Sequence, residues 1–482
     1  MKNKINNSFL IISILIVLNL SVSCQKNPAT GQNEINIMSE NEEDLIGKNE
    51  HSKILIQFGG EFKDKKLNNY IKSLGNFLVS TSELPEKKFT FTILNTPIIN
   101  AFALPGGYIY LTRGLIYLCQ NEAQLAGVIA HEIGHITAKH SAKRYTKTVG
   151  TGILLQVLNL FSNNPFLGNL FGQSAQLFLL SYSRSQEYQA DQLAVRYMIR
   201  AGFDPNEMAN FLRLMEEFAN LQKKVLKIEN EISELLKTHP NSSKRVQEVI
   251  NTYKRDIPLN PIIGKDIFLK KIDGLLYGHK EEEGFFMKNN FVHKPLKIKF
   301  NFDKDFYFLN NPKALIGTSK KTTKIIFDLE ETSYQNNLDY LAKWASTSKK
   351  NISEFKSFVN NDFKISRGKI KKKKGIVIVA TLKDDRDIIF RFSLLSNKKE
   401  LKLFEEKFNE TVMSFTKIKE EELDLLSPPK IKIVSSNSQP EFIDNIIREI
   451  NLQKMHSDDF FKVINDIQTK EFEIGAKLKS IY

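Results

Sequence analysis

Hydrophobic and polar positions change period in blocks along the chain, and each block predicts an element. Ser39-Glu40-Asn41-Glu42 has the form of a capping box, in which a serine hydroxyl and a glutamate three residues on satisfy free helix N–H groups, and it predicts a first helix to about Ile56. Apolar residues at helical spacing predict a second helix over about Lys66 to Ser82, whereas Lys88 to Leu94 alternates as a strand does. Asn100 to Leu111 (NAFALPGGYIYL) reads as two short strands about the turn Pro105-Gly106-Gly107. Asn121, with Gln124 three residues on, starts a strong helix carrying NEAQLAGVIAHEIGHITAKH. A further apolar helix is expected over about Ser174 to Ala201, stopping at Gly202. Asp204-Pro205-Asn206-Glu207 caps another that continues to about Lys237, and a last one follows Thr238-His239-Pro240 and ends near Tyr253. Gly152 to Leu180, rich in Leu and Phe but broken by Asn, Gln and Ser, reads as a loop plus a core helix covering a cleft.

Beyond Ile257 to Gly264, which holds two Pro and one Gly, the texture changes to alternating strands: Leu296 to Phe302, Thr323 to Phe327, Gly375 to Leu382 and Ile388 to Leu394. Asp384-Asp385 falls in a hairpin turn, and a helix over about Asn397 to Phe415 follows. Ser427-Pro428-Pro429 marks a second break. The pattern predicts an α+β protein: a mainly helical domain with a short β-sheet over residues 24–256, an α+β accessory domain over 265–426, and a small C-terminal module over 427–482. With 482 residues, 41% of them apolar and 26% charged, the chain is too long for one ordinary domain, and its composition excludes wholesale disorder, collagen and a polytopic membrane protein.

The N-terminus reads as an export signal. Lys2 and Lys4 precede an apolar run from Phe9 to Leu20; as a helix it spans about 18 Å, too short for a hydrocarbon core of about 30 Å. Ser21-Val22-Ser23 and then Cys24 resemble a bacterial lipoprotein signal, with the usual Leu one position early at Leu20. The resemblance implies a signal peptide over residues 1–23, cleavage before Cys24 and lipid on its thiol; the alternative is a plain signal peptide with an incidental Cys. Acylation of Cys24 leaves Cys119 as the other thiol of the chain, so no intrachain disulfide forms, as suits a periplasm-facing protein without covalent staples. Gln25 after that Cys favours the outer membrane. The net charge of +14 is spread along the chain, and its densest run, Lys369 to Lys374 (KIKKKK), reads as a solvated hairpin flank. No recognition motif accompanies the charge, so nucleic acid is not an expected partner.

His131-Glu132-Ile133-Gly134-His135 carries the chemistry. Residues four apart share one face of a helix about 6 Å apart along its axis, so both imidazoles reach one tetrahedral ion, and Glu132 projects beside them where it takes a proton from water. Zinc suits imidazole ligands with one position left for water. Glu187, 52 residues past His135 on the next predicted helix, is the best candidate for a third ligand, and Asp191 on the same face is placed to accept the second N–H of a ligating His. Read alone, that acidic pair also fits a solvated edge. His140, five residues past His135, falls on a different helical face and is assigned a structural role, as are His279 and His293.

The sequence resembles the HtpX/Oma-type family of gluzincin metallopeptidases, relatives of the CAAX-prenyl proteases, and within it the periplasmic lipoprotein branch. The family pattern, HExxH followed on a later helix by ExxxD, is met by His131, Glu132, His135, Glu187 and Asp191. Three more stretches carry the likeness: Asn27-Pro28-Ala29-Thr30-Gly31 resembles the branch's NPxTG start, Asn100-Ala101-Phe102-Ala103 with Pro105-Gly106-Gly107 its NAFAxPGG segment, and Thr238-His239-Pro240 with Arg245 its THPxxxxR motif. The resemblance implies one Zn2+ per chain held by His131, His135 and Glu187, with Glu132 as general base and Asp191 in an outer or proton-donating role. It places His239 and Arg245 facing the zinc, where they are expected to stabilise an oxyanion. His239 is alternatively a ligand closing the open zinc position at rest, or a turn residue, and Arg245 a surface charge. Substrate is expected to add as an extra strand along Asn100, Ala101, Phe102 and Ala103. Such a protein cleaves unfolded or misassembled envelope polypeptides from a lipid anchor on Cys24, with envelope assembly partners allowed; the alternative is a lipoprotein chaperone whose zinc is structural.

Overall fold

The structure is a computed structural model that describes residues 23–36, 38–144, 181–226, 239, 242–319, 323–332, 337–372, 375–437, 441–467 and 473–482. The export signal up to Val22, the stretch Gly152 to Leu180 and the helical continuation to Lys237 lie outside these. Among the described residues the chain forms two units, one running to Glu216 and from His239 to Ile272, the other comprising 217–226 and 273–482.

The first unit begins with a hairpin, β1 (Ser23–Lys26) antiparallel to β2 (Asn33–Asn36). Helix α1 (Glu40–Gln57) starts at the expected capping box: the Ser39 N–H donates to Glu42 Oε2 at 2.7 Å and its hydroxyl accepts from the Glu42 N–H at 3.4 Å. Asp64 caps α2 (Lys65–Ser80). A three-stranded sheet follows in the order β3 (Thr90–Leu94), β5 (Tyr108–Thr112), β4 (Ala101–Leu104), with β3 parallel and β4 antiparallel to β5. Gly106 and Gly107 turn the chain between β4 and β5 at φ of 78° and 85°, a left-handed backbone that side chains resist. Helix α1 lies directly on this turn, so that a Cβ at Gly47 would stand 2.3 Å from the Pro105 carbonyl oxygen. Ile54, Phe58, Leu94, Phe102, Leu104 and Tyr110 fill the space between α1 and the sheet.

Helix α3 (Arg113–Leu118) leads to α4 (Glu122–Thr137), capped by Asn121, whose side chain accepts the Gln124 N–H at 2.8 Å. From Ala123 to Thr137 every residue of α4 is buried. Helix α5 (Arg184–Arg200) crosses it closely: a Cβ on Gly134 would meet the Ala190 carbonyl at 3.0 Å. The sequence placed the start of this helix near Ser174; in the structure Ser183 is its N-cap in a capping box with Gln186, and residues 181–183 precede it as irregular chain. Helices α6 (Asn206–Leu226) and α7 (Ser242–Thr252) follow. The Pro-rich segment Ile257 to Gly264 is stitched to the same unit: Ala123 N–H donates to Ile263 O at 3.1 Å, and Ile262 exchanges backbone bonds with Gly202 and Asp204. Helix α8 (Lys265–Ile272) closes the unit with Phe268, Leu269 and Ile272 buried.

The second unit carries an antiparallel seven-stranded sheet, a four-stranded sheet and a two-stranded one. Phenylalanines 291, 300, 302, 306, 308, 327, 363, 390, 392, 404, 408 and 415 crowd its core, which accounts for the abundance of that residue. The hairpin expected around Asp384-Asp385 joins Gly375–Lys383 to Ile388–Ser396, and the Lys369 run flanks the turn before it. Several strands were not expected, among them Ile352–Asn360, an edge strand whose bulge between Ser353 and Lys356 removes the alternation that sequence reading depends on.

The approach of α1 to the Pro105 turn yields the first prediction. Gly47→Ala should destabilise the protein by about 1–3 kcal/mol, because both the turn and Tyr108 stand in the way of a methyl group; denaturant unfolding measures it.

Candidate metal centre

One turn of α4 separates His131 from His135, and their Nε2 atoms face each other at 3.0 Å. The first turn of α5 brings in Glu187, with Oε1 3.5 Å from His135 Nε2 and Oε2 3.6 Å from His131 Nε2. His239 completes the group: its Nδ1 lies 3.1 Å from His131 Nε2 and 3.0 and 3.1 Å from the two Glu187 oxygens. The four ligand atoms fall within 4.8 Å of one another and all four residues are buried. A tetrahedron with metal bonds of about 2.0–2.1 Å has edges of about 3.3 Å. Separations of 3.0 to 3.6 Å between converging lone pairs therefore fit one zinc-sized ion, and without a cation these buried acceptors would oppose one another.

Outer contacts fix each ligand's proton. Asp191 Oδ1 lies 2.9 Å from His131 Nδ1 as a close charge contact without hydrogen-bond alignment; its negative charge favours the proton on Nδ1 and leaves the Nε2 lone pair for the cluster. On the other ligand, His135 Nδ1 is 3.0 Å from His140 Nδ1, and His140 Nε2 is 2.8 Å from Gln189 Oε1. The network assigns a single direction: His135 donates to His140, and His140 donates to Gln189. Burial pushes His140 down to about 4, which keeps it neutral and able to accept. Tyr182 stacks on the His135 ring at 3.8 Å and 18°, Arg144 lies over the opposite part of this aromatic group 3.3 Å from the Tyr182 centroid, and the Tyr182 hydroxyl bonds Ser141 Oγ at 2.8 Å. Arg245 donates from Nη2 to Glu187 Oε2 at 3.1 Å and from Nε to Asp191 Oδ2.

Charge is uneven across the group. Burial alone would raise the Glu187 carboxyl, but the neighbouring His239, within hydrogen-bond reach of both its oxygens, holds it well below the usual range, so it stays ionised. Burial raises Glu132. Its Oε1 is 3.6 Å from His239 Nε2, and its buried Oε2 has no hydrogen-bond partner among the described residues.

The structure thus brings together His131, Glu132, His135, Glu187, Asp191, His239 and Arg245. The Arg245 guanidinium is engaged by the two acidic side chains, Glu187 and Asp191. Asn100 to Ala103 form or adjoin β4, whose Ala103 carbonyl already accepts from Ser141 Oγ at 3.2 Å. Sequence reasoning missed His140, Tyr182, Arg144 and Gln189. It ran the helix through His140, whereas α4 ends at Thr137 and Lys139 at φ 56° turns the chain back, which returns His140 to His135. For Tyr182 a signal existed, because Ser183 and Gln186 spell the capping box that starts α5 just after it.

An HExxH helix packed on a second helix that supplies a glutamate ligand is the architecture of the gluzincin metallopeptidases. Residues 65–252 match Peptidase family M48. The chain is 31% identical over 228 residues to the beta-barrel assembly-enhancing protease of Yersinia pestis, covering 45% of this chain and 46% of that protein. It is 31% identical over 217 residues to the protein of that name from Escherichia coli (strain K12), 43% of each chain, and 26% identical over 235 residues to the mitochondrial metalloendopeptidase OMA1 of Schizosaccharomyces pombe, 46% of this chain and 64% of that one. It spans less than half the length of the two bacterial relatives.

Replacing Asp191 with Asn should weaken zinc binding about 10–100-fold through the loss of the negative charge beside His131, with secondary structure retained. Competition against a chelator, alongside circular dichroism, reads both.

Proposed function

We propose that this protein is a zinc-dependent endopeptidase acting on unfolded or misassembled polypeptides of the bacterial envelope. The observation that carries the reading is Glu132, a buried carboxylate with one oxygen that has no hydrogen-bond partner among the described residues, set beside a cluster able to hold a metal ion. The family and the names of the relatives support it. Zinc held by His131, His135 and Glu187 would supply Lewis-acid polarisation of the scissile carbonyl and acidify water.

The protein's own residues do the rest. Burial raises Glu132 toward working pH, where Oε2 accepts a proton from the attacking water and then delivers it to the leaving amide nitrogen. Asp191 and the His140–Gln189 pair keep both imidazoles in the ligating tautomer, and Arg245 keeps Glu187 and Asp191 in place. His239 fills the fourth corner of the cluster, so the arrangement is a resting one: substrate entry requires that ring to move aside, from where its N–H serves the developing oxyanion. Strand β4 lies at the edge of its sheet, which supports an extended substrate pairing along Asn100 to Ala103 once Ser141 releases the Ala103 carbonyl.

We place the protein at the periplasmic face of the envelope as a lipoprotein anchored through Cys24, with the outer membrane favoured by Gln25. No helix among the described residues is long and apolar enough to cross a membrane. A second reading, a chaperone or assembly factor with structural zinc, draws on the same fourth ligand, since structural zinc sites are closed by four protein ligands.

The two readings separate on one variant. Glu132→Gln should bind one zinc per chain, as elemental analysis would show, while cleavage of casein falls by about 10²–10⁴-fold; wild-type cleavage by that variant would overturn the peptidase reading. Stripping zinc with a chelator should abolish cleavage and lower the thermal midpoint, because binding to the folded state alone stabilises it; calorimetry with and without added zinc measures the shift.

A further inference from the structure

The segment just after Cys24 does not hang free. Asn27 is buried, and its Nδ2 donates to the carbonyl oxygen of Thr137 at 3.1 Å, two residues past His135 on the last turn of α4. Its Oδ1 accepts the N–H groups of Ala29 and Thr30 at 2.8 and 3.2 Å, and its own backbone closes a tight turn with Gly31 and Gln32. From that turn the Ala29 carbonyl accepts from Arg196 Nη2 at 3.3 Å, and Arg196 in turn pairs with Glu83 at 3.1 Å. Arg196 sits on α5, the helix that carries Glu187 and Asp191. One short turn therefore grips both helices that bear the metal cluster. Between it and Cys24 lie Gln25 and Lys26, both in β1, whose pairing with β2 keeps the chain extended.

We propose that this turn is a rigid strut that sets the metal centre at a fixed, short height above the bilayer, so that the site's substrates are polypeptide segments lying on or emerging from the membrane surface. This inference rests on the lipoprotein endopeptidase reading and adds to it a substrate class and an orientation. The geometry is strict. Three residues of extended chain span about 10 Å, and the clamped carbonyl of Thr137 is about 3 Å along the helix axis from the level of His135. A flexible linker of the same length would leave the height variable; a strand ending in a buried clamp on two helices keeps it short.

The test uses full-length lipidated protein in vesicles of phosphatidylethanolamine and phosphatidylglycerol. One variant carries a 12-residue Gly/Ser insertion between Gln25 and Lys26, which lengthens the reach by about 20 Å; a second carries Asn27→Ala. The membrane substrate is an unstructured polypeptide on a single spanning helix, and the positions cut are mapped by mass spectrometry. The parent should cut close to the bilayer, and both variants should lose that preference, the insertion by roughly tenfold or more, while all three digest soluble casein alike. Identical cut maps for parent and insertion variant would overturn the inference, as would an unacylated Cys24 in the mature protein. Loss of casein digestion by the parent would instead sink the endopeptidase reading itself, and this inference with it.

Discussion

Glu187 is an ionised carboxylate withdrawn wholly from water, and the first unit is organised around keeping it tolerable. A buried charge of this kind costs several kcal/mol unless it is paired and hydrogen-bonded. Here His131, His135, His239 and Arg245 surround it, and each comes from an element that must be exactly placed for the charge to be met. Close packing of α4 on α5 at Gly134 brings the first two within reach; even a methyl group there would press on the Ala190 carbonyl at 3.0 Å. The metal cluster is thus also a folding constraint, because the same groups that would hold the ion neutralise the acid.

Around that centre the hydrogen bonds run one way. The charge of Asp191 faces one imidazole, the other donates to His140 and His140 to Gln189, and Tyr182, itself under the Arg144 guanidinium, stacks on the second ring. Arg245 joins this outer set by donating to both Glu187 and Asp191.

Much of this was legible in the residues. His131, His135 and Glu132 follow from helical spacing, and Glu187 with Asp191 from a second helix of the same period. Capping boxes and Pro-Gly turns marked the starts of α1 and α4 and the β4–β5 turn. What could not be read was anything decided by a break in regularity. His140 reaches His135 because α4 stops three residues before it and the backbone reverses at Lys139, an event that no periodicity announces. The hairpin after Cys24 was hidden because its stability comes from Asn27 meeting a carbonyl 110 residues away. In the second unit the expected strands were those with clean alternation, and the bulged edge strand had none.

Helix α4 is enclosed on every side from Ala123 to Thr137. It therefore has no outward face on which substitutions can accumulate harmlessly, and positions with no part in the chemistry are as confined as those that have one. Diversity in what the protein acts upon has to be written elsewhere: in the segments flanking this rod, and in the modules appended to it.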